Sequence, residues 1–208
     1  MPEQQEPIEQ LREIRNMMER SSRFVSLSGW SGITAGLAGL LGAFLAHRRI
    51  GHYYDVEYGQ ANASPEKLYN DLLLIAVGIF ILAFVLAIFF TWRKSRHSDL
   101  PFWGEVSKRL LMNTMLPMLA GGIFILRLME FNQYDFVAPA CLIFYGLGLI
   151  NGSKYTLGEV RYLGMAQLFL GLMNLFFMRD GLWFWAAGFG LMHIVYGTAM
   201  WWKYERKA

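Results

Sequence analysis

Residues 72–92 read LLLIAVGIFILAFVLAIFFTW, an unbroken run from Leu72 to Trp92 without a single Asp, Glu, Lys or Arg. Crossing a hydrocarbon core about 30 Å thick takes an apolar helix of about 20 residues, within roughly 17–25. Inside lipid each backbone N–H and C=O has to be bonded within the segment, so an α-helix is the form such a run adopts. Five further stretches lack the same four residue types: Leu27 to Ala46, Leu110 to Leu126, Phe136 to Asn151, Tyr162 to Met178 and Leu182 to Trp202. Six membrane spans are therefore predicted, at about 27–46, 71–92, 109–129, 136–152, 158–178 and 182–202. The fourth and fifth are short. They reach full length through Lys154 and Glu159 or Arg161, whose long side chains carry their charges to the interface.

The predicted fold class is thus all-α: a polytopic membrane protein, with a bundle of six transmembrane helices over 27–202. Residues 1–26 form a cytoplasmic N-terminal segment and residues 203–208 a cytoplasmic tail. Overall composition agrees, with 55% hydrophobic and 17% charged residues against roughly 45–50% and 25% in soluble domains.

Orientation follows from the basic residues. With the N-terminus inside, the inner segments hold 14 of the 19 Lys and Arg residues, and the outer side keeps Arg48, Arg49, Lys67, Arg127 and Arg179. That is the positive-inside pattern, and it predicts a multi-pass protein of the cell (inner) membrane with both termini cytoplasmic. The net charge of +3 then reports topology. Nucleic-acid binding needs a clustered basic face and is not expected. The single cysteine, Cys141, lies in the fourth span, which leaves the outer loops without an intramolecular disulfide.

The N-terminal segment carries Ile8, Leu11, Ile14, Met18 and Val25 at spacings of three, four and seven, one apolar stripe of an amphipathic helix. Two readings stand beside each other: a helix lying on the inner leaflet, and a surface for a protein partner through residues 8–25. The first span is rich in small residues, with Gly32-x-x-x-Gly36 and Ala35-x-x-x-Gly39-x-x-x-Ala43. Such faces let another backbone come close, either centrally in the bundle or at a homo-oligomer seam. Ser64-Pro65-Glu66 reads as the start of the second helix, with Ser64 as N-cap. In the third span Pro117 removes a donor and should free a carbonyl near residue 113.

Polar residues inside the spans are the candidate site. Gln167 and His193 both fall near mid-membrane, on helices joined by a short turn around Arg179-Asp180-Gly181, and are expected to hydrogen-bond. With Asn113 and Asn174 they form the candidate intramembrane polar set. Arg127 and Glu130, three apart at an outer end, and Glu159 and Arg161 at an inner mouth are the interfacial charge candidates. No Asp or Glu lies near mid-membrane, where coupled transporters usually keep one. No catalytic residue, metal site or cofactor is assigned. Only His193 lies in the core, which is too few for bis-histidine haem, and H-E-x-x-H, P-loop and dinucleotide patterns are missing. Gly29-Trp30-Ser31-Gly32 matches the G-x-S-G pattern of rhomboid proteases in residue type. Its serine, however, stands in the first span rather than the fourth, and three residues rather than two separate His193 from Gly197.

Three stretches carry a wider resemblance: residues Arg15 to Phe24 before the glycine-rich span, Tyr155 to Gly164, and His193-Ile194-Val195-Tyr196-Gly197. Together they resemble a family of bacterial six-helix integral membrane proteins, which implies the fold and carries no known activity. The function expected is that of a non-enzymatic membrane component, a scaffold or regulatory partner of another protein in contact with the lipid bilayer. The alternative is a small channel or transporter for a neutral or lipid-like solute, and an intramembrane enzyme comes third.

Overall fold

A computed structural model of the chain describes residues 27–60, 64–97 and 103–206. The amphipathic stripe expected over residues 8–25 lies outside the described residues. The described chain is helical, with no β-strand among its residues. Its elements are α1 (Gly29–His52), α2 (Pro65–His97), α3 (Glu105–Glu130), α4 (Val137–Gly152), α5 (Glu159–Asn174), and a last rod. That rod runs from α6 (Gly181–Trp185) through a π-helical segment (Ala186–Met192) into α7 (His193–Tyr204). Four helical segments are long and apolar enough to cross a membrane: Gly29–Glu57, Pro65–Arg96, Glu105–Glu130 and Tyr134–Tyr155.

The helix starts follow from local chemistry. Ser28 caps α1 by accepting from Trp30 N–H at 3.3 Å, and the Ser31 hydroxyl donates back to the Ser28 carbonyl at 2.5 Å. The serine of the G-x-S-G match therefore serves the helix start. At α2, Lys67 N–H donates to Ser64 Oγ at 3.4 Å, and Pro65 occupies the first turn, where its missing N–H costs nothing. α3 continues through Pro117, and the carbonyl four residues earlier, that of Asn113, receives a donor from another helix. Asn151 Nδ2 supplies it at 2.9 Å.

Neighbouring elements form a chain in space: α2 packs on α1, α1 on the last rod, the rod on α5, α5 on α4, and α4 on α3. α1 is central. Its Gly29, Gly32 and Gly36 lie against Trp201, Gly197 and Ile194 of α7, and Gly39 lies against Phe189 of the π-helical segment. A Cβ at Gly39 would overlap the Phe189 carbonyl, so the small residues permit backbone-to-backbone contact within one chain. A second glycine seam joins α4 to α5, where a Cβ on Gly146 would come 2.7 Å from Leu168 N and one on Gly164 2.9 Å from the Gly146 carbonyl. α2 and α3 contrast with these. Only 6% of the apolar window of each is buried, against 44% for α1. Phe80, Leu116 and Ile123 stand open, as side chains do when lipid is the solvent.

Polar ties close both ends of the bundle. At one end Arg49 holds Glu57 at 3.0 Å and Asp71 at 2.8 Å, joining α1 to α2, while Tyr69 stacks on Tyr134 with ring centroids 3.6 Å apart. At the other, Lys94 donates to the Leu27 carbonyl at 2.7 Å and pairs with Glu205 at 3.1 Å. The Glu205 carboxylate also accepts from Gly29 N–H at 2.8 Å, adding an anion to the positive end of α1.

Candidate functional site

Two of the candidate polar residues, Gln167 and His193, meet at one backbone carbonyl. His193 opens α7, directly after the π-helical segment, and is 6% exposed; Gln167 sits mid-way along α5 and is fully buried. Gln167 Nε2 donates to the Gly188 carbonyl at 2.7 Å, and His193 Nδ1 lies 3.0 Å from the same oxygen. The imidazole therefore carries its proton on Nδ1, and its Nε2 accepts from the Tyr145 hydroxyl at 2.8 Å. The two donor nitrogens of Gln167 and His193 are 3.4 Å apart because they converge on one acceptor. The expected nearness of the two residues is found, but the hydrogen bond expected between them is replaced by two bonds to the Gly188 carbonyl. A Cβ at Gly188 would lie 2.5 Å from both Gln167 Oε1 and Leu142 Cδ2, so a larger residue there would have to displace these two side-chain ends.

Tyr145, on α4, is the site residue that sequence reasoning missed. It closes the network from a third element and packs against Phe189 as well, with ring centroids 5.2 Å apart. The remaining capacity is small. Gln167 Oε1 is buried and has no hydrogen-bond partner, as is Asn174 Oδ1.

The other predicted residues are dispersed. Asn174 lies seven residues beyond Gln167 on α5 and turns its Nδ2 to the Phe177 carbonyl at 2.9 Å, closing the turn before α6. Asn113 lies on α3, where its Nδ2 donates to the Arg109 carbonyl at 2.8 Å and its own carbonyl and side chain receive Asn151. Lys154 extends that group with a 3.3 Å bond to Asn151 Oδ1. The four residues of the intramembrane set therefore fall into three places, and only Gln167 and His193 meet.

The interfacial charges resolve similarly. Arg127 and Glu130 pair with each other in the exposed last turn of α3, and Arg127 stacks 4.8 Å over the Phe131 ring. Glu159 accepts from Lys203 and from the Tyr204 hydroxyl, the latter at 2.9 Å, which ties the start of α5 to the end of α7. Its hydrogen bond to Glu159 raises the Lys203 ammonium above its ordinary pKa. Arg161, two residues on, faces outward, as the helical repeat requires. His52 pairs with Glu57 at 3.1 Å and His47 lies 6.4 Å from the Trp183 ring.

No family model matches the chain, and neither curated proteins nor solved structures include a significant match to it.

Proposed function

We propose that the chain crosses the bacterial cell membrane six times, with both termini on the basic, cytoplasmic side, and that it serves as a non-enzymatic scaffold or regulatory partner of another protein. The last rod, from Gly181 to Tyr204, is about 35 Å long at 1.5 Å per residue, enough to span. α5 covers Glu159–Asn174, about 24 Å by the same rise, and completes its crossing with the residues flanking it. One observation carries the functional reading: the deep polar side chains are dispersed, and most of their groups bond within the bundle. A pore needs those groups converging on a lumen. Here Gln167 and His193 turn to Gly188, Asn174 to Phe177, and Asn113 to Arg109 and Asn151. The described helices offer apolar surface on α2 and α3, and the sequence adds a basic inner side and the apolar stripe at residues 8–25 as the candidate surface for a protein partner.

The test is a pair of charge substitutions, Leu11→Glu and Ile14→Glu. The expected result is normal insertion and amount in the membrane with loss of function and of the co-purifying partner. Retention of both would overturn the partner reading. A second reading, a small channel or transporter for a neutral or lipid-like solute, is favoured by the two buried acceptors Gln167 Oε1 and Asn174 Oδ1, which lack partners. Solute flux in liposomes that changes in His193→Ala would support it.

A further inference from the structure

Among the described residues, the last rod is the helical element with a π-helical stretch between two α-helical halves, and those halves are held very differently. The α7 half is locked. His193, Gly197 and Met200 are buried, and Gly197 lies backbone-to-backbone on α1, 2.6 Å separating its would-be Cβ from the Gly29 carbonyl. The α6 half, Gly181–Trp185, has no buried residue, and Trp183 is 68% exposed. Between them lie seven π-helical residues, Ala186–Met192, including Gly188 and Gly190. π-Helical turns are rare, occur mostly as single-turn bulges and concentrate at functional sites. This one is braced from the side. The Gly188 carbonyl takes two side-chain donors, Gln167 Nε2 from α5 and His193 Nδ1 from α7, at 2.7 and 3.0 Å.

We propose that Ala186–Met192 is a rotary joint, held in its π register by the Gln167 and His193 bonds to Gly188 and able to pass to the α register when they open. Each residue of register change in a helix turns one side of it by about 100° and slides it about 1.5 Å. The moving side is α6 with the first residues of the π-helical segment, because α7 and Phe189–Gly190 lie in close backbone contact with α1. Trp183 would leave its place near His47, and Trp185 its place 4.5 Å from Phe189. The buried Gln167 Oε1 has no partner, so the π state leaves one acceptor of the brace unsatisfied. The joint thus couples the polar cluster around His193 to the aromatic end of the rod.

Two measurements decide it, both on the full chain with Cys141→Ser. In the first, Ala138→Cys with Gly181→Cys reports the α6 position, since a Cβ on Gly181 lies 3.2 Å from Ala138 Cβ, within disulfide reach. Glu159→Cys with Lys203→Cys, in a separate chain and bridged by a flexible bifunctional thiol reagent because the native contact joins side-chain ends, reports the α7 position. Adding Gln167→Leu or His193→Phe should lower cross-linking of the first pair several-fold and leave the second unchanged. Unchanged cross-linking of the first pair in both variants overturns the proposal. The second measurement is hydrogen exchange in the protein with its native Gln167 and His193. The amides of Ala186–Met192 should exchange at least about tenfold faster than those of His193–Tyr204, as a locally opening segment does. Equal protection of the two segments overturns the joint on its own, and it settles the matter if a variant loses both cross-links by misfolding.

Discussion

Asn151 donates a side-chain hydrogen bond of 2.9 Å to the backbone carbonyl of Asn113, the acceptor that Pro117 leaves without its helical donor. The proline defect in α3 is thereby repaired from α4, and the two helices are fixed in register at that point. Replacing Asn151 by Leu should destabilise the detergent-solubilised protein by about 1–2 kcal/mol, the cost of an unpaired carbonyl. In a Pro117→Ala background the N–H of residue 117 returns, so the same Asn151→Leu change should cost markedly less. A double-mutant cycle of thermal unfolding reads the difference; equal losses in both backgrounds would contradict the assignment.

Tyr145→Phe removes the donor to His193 Nε2 and nothing else of size. A loss of about 1 kcal/mol is expected, as for one buried hydrogen bond. Gly188→Ala should cost more, about 1–3 kcal/mol, because its methyl meets Gln167 Oε1 and Leu142 at 2.5 Å. Thermal melts of both variants in the same detergent check the ranking, and a harmless Gly188→Ala would contradict the geometry around that carbonyl.

The glycines divide into two classes. Gly39→Ala puts a methyl into the Phe189 carbonyl and should destabilise by about 2 kcal/mol or more. Gly122 and Gly51 have open space around the same position, and Ala there should be neutral or stabilising by up to about 1 kcal/mol through helix propensity. Relative melting temperatures of the three variants test the α1 seam directly.

The Lys203–Glu159 contact predicts a dependence on alkaline pH. Bonding to Glu159 raises the folded-state pKa of Lys203 above its ordinary value of 10.5. The stabilisation is therefore fully present below pH 10.5 and is lost as pH rises through the higher folded value. Melting temperature followed from pH 9 upward should fall more steeply in the native protein than in Lys203→Gln; parallel curves would show that the contact contributes nothing.

The relation between sequence and structure differs from residue to residue. The Asn113 carbonyl was legible, because the position four before a proline is set by helix geometry alone. So was the nearness of Gln167 and His193, which follows from one short turn between two helices. Their shared acceptor was not legible, since it depends on a π-helical segment whose outward sign is two glycines, Gly188 and Gly190. Tyr145 was missed for a related reason: a tyrosine in an apolar helix reads as a headgroup anchor until a neighbouring helix supplies its partner. Asn151 stood at the end of α4, where polarity is unremarkable, and only packing against α3 makes it a donor to the interior. Asn113 and Asn174 share the polarity of the His193 cluster but lie at other places along their helices, and periodicity cannot tell which helices are neighbours.

Six crossings are the claim on which the rest stands, and cysteine accessibility tests it most directly. In a Cys141→Ser background, single cysteines at Ser26, Gln60, Ser98, Asn132, Ser153 and Asp180 are exposed to a membrane-impermeant thiol reagent on intact cells. The account predicts labelling at Gln60, Asn132 and Asp180 from outside, and labelling at Ser26, Ser98 and Ser153 only after permeabilisation. Labelling of Ser153 and Asp180 from the same side would contradict it, because α5 would then not cross the membrane.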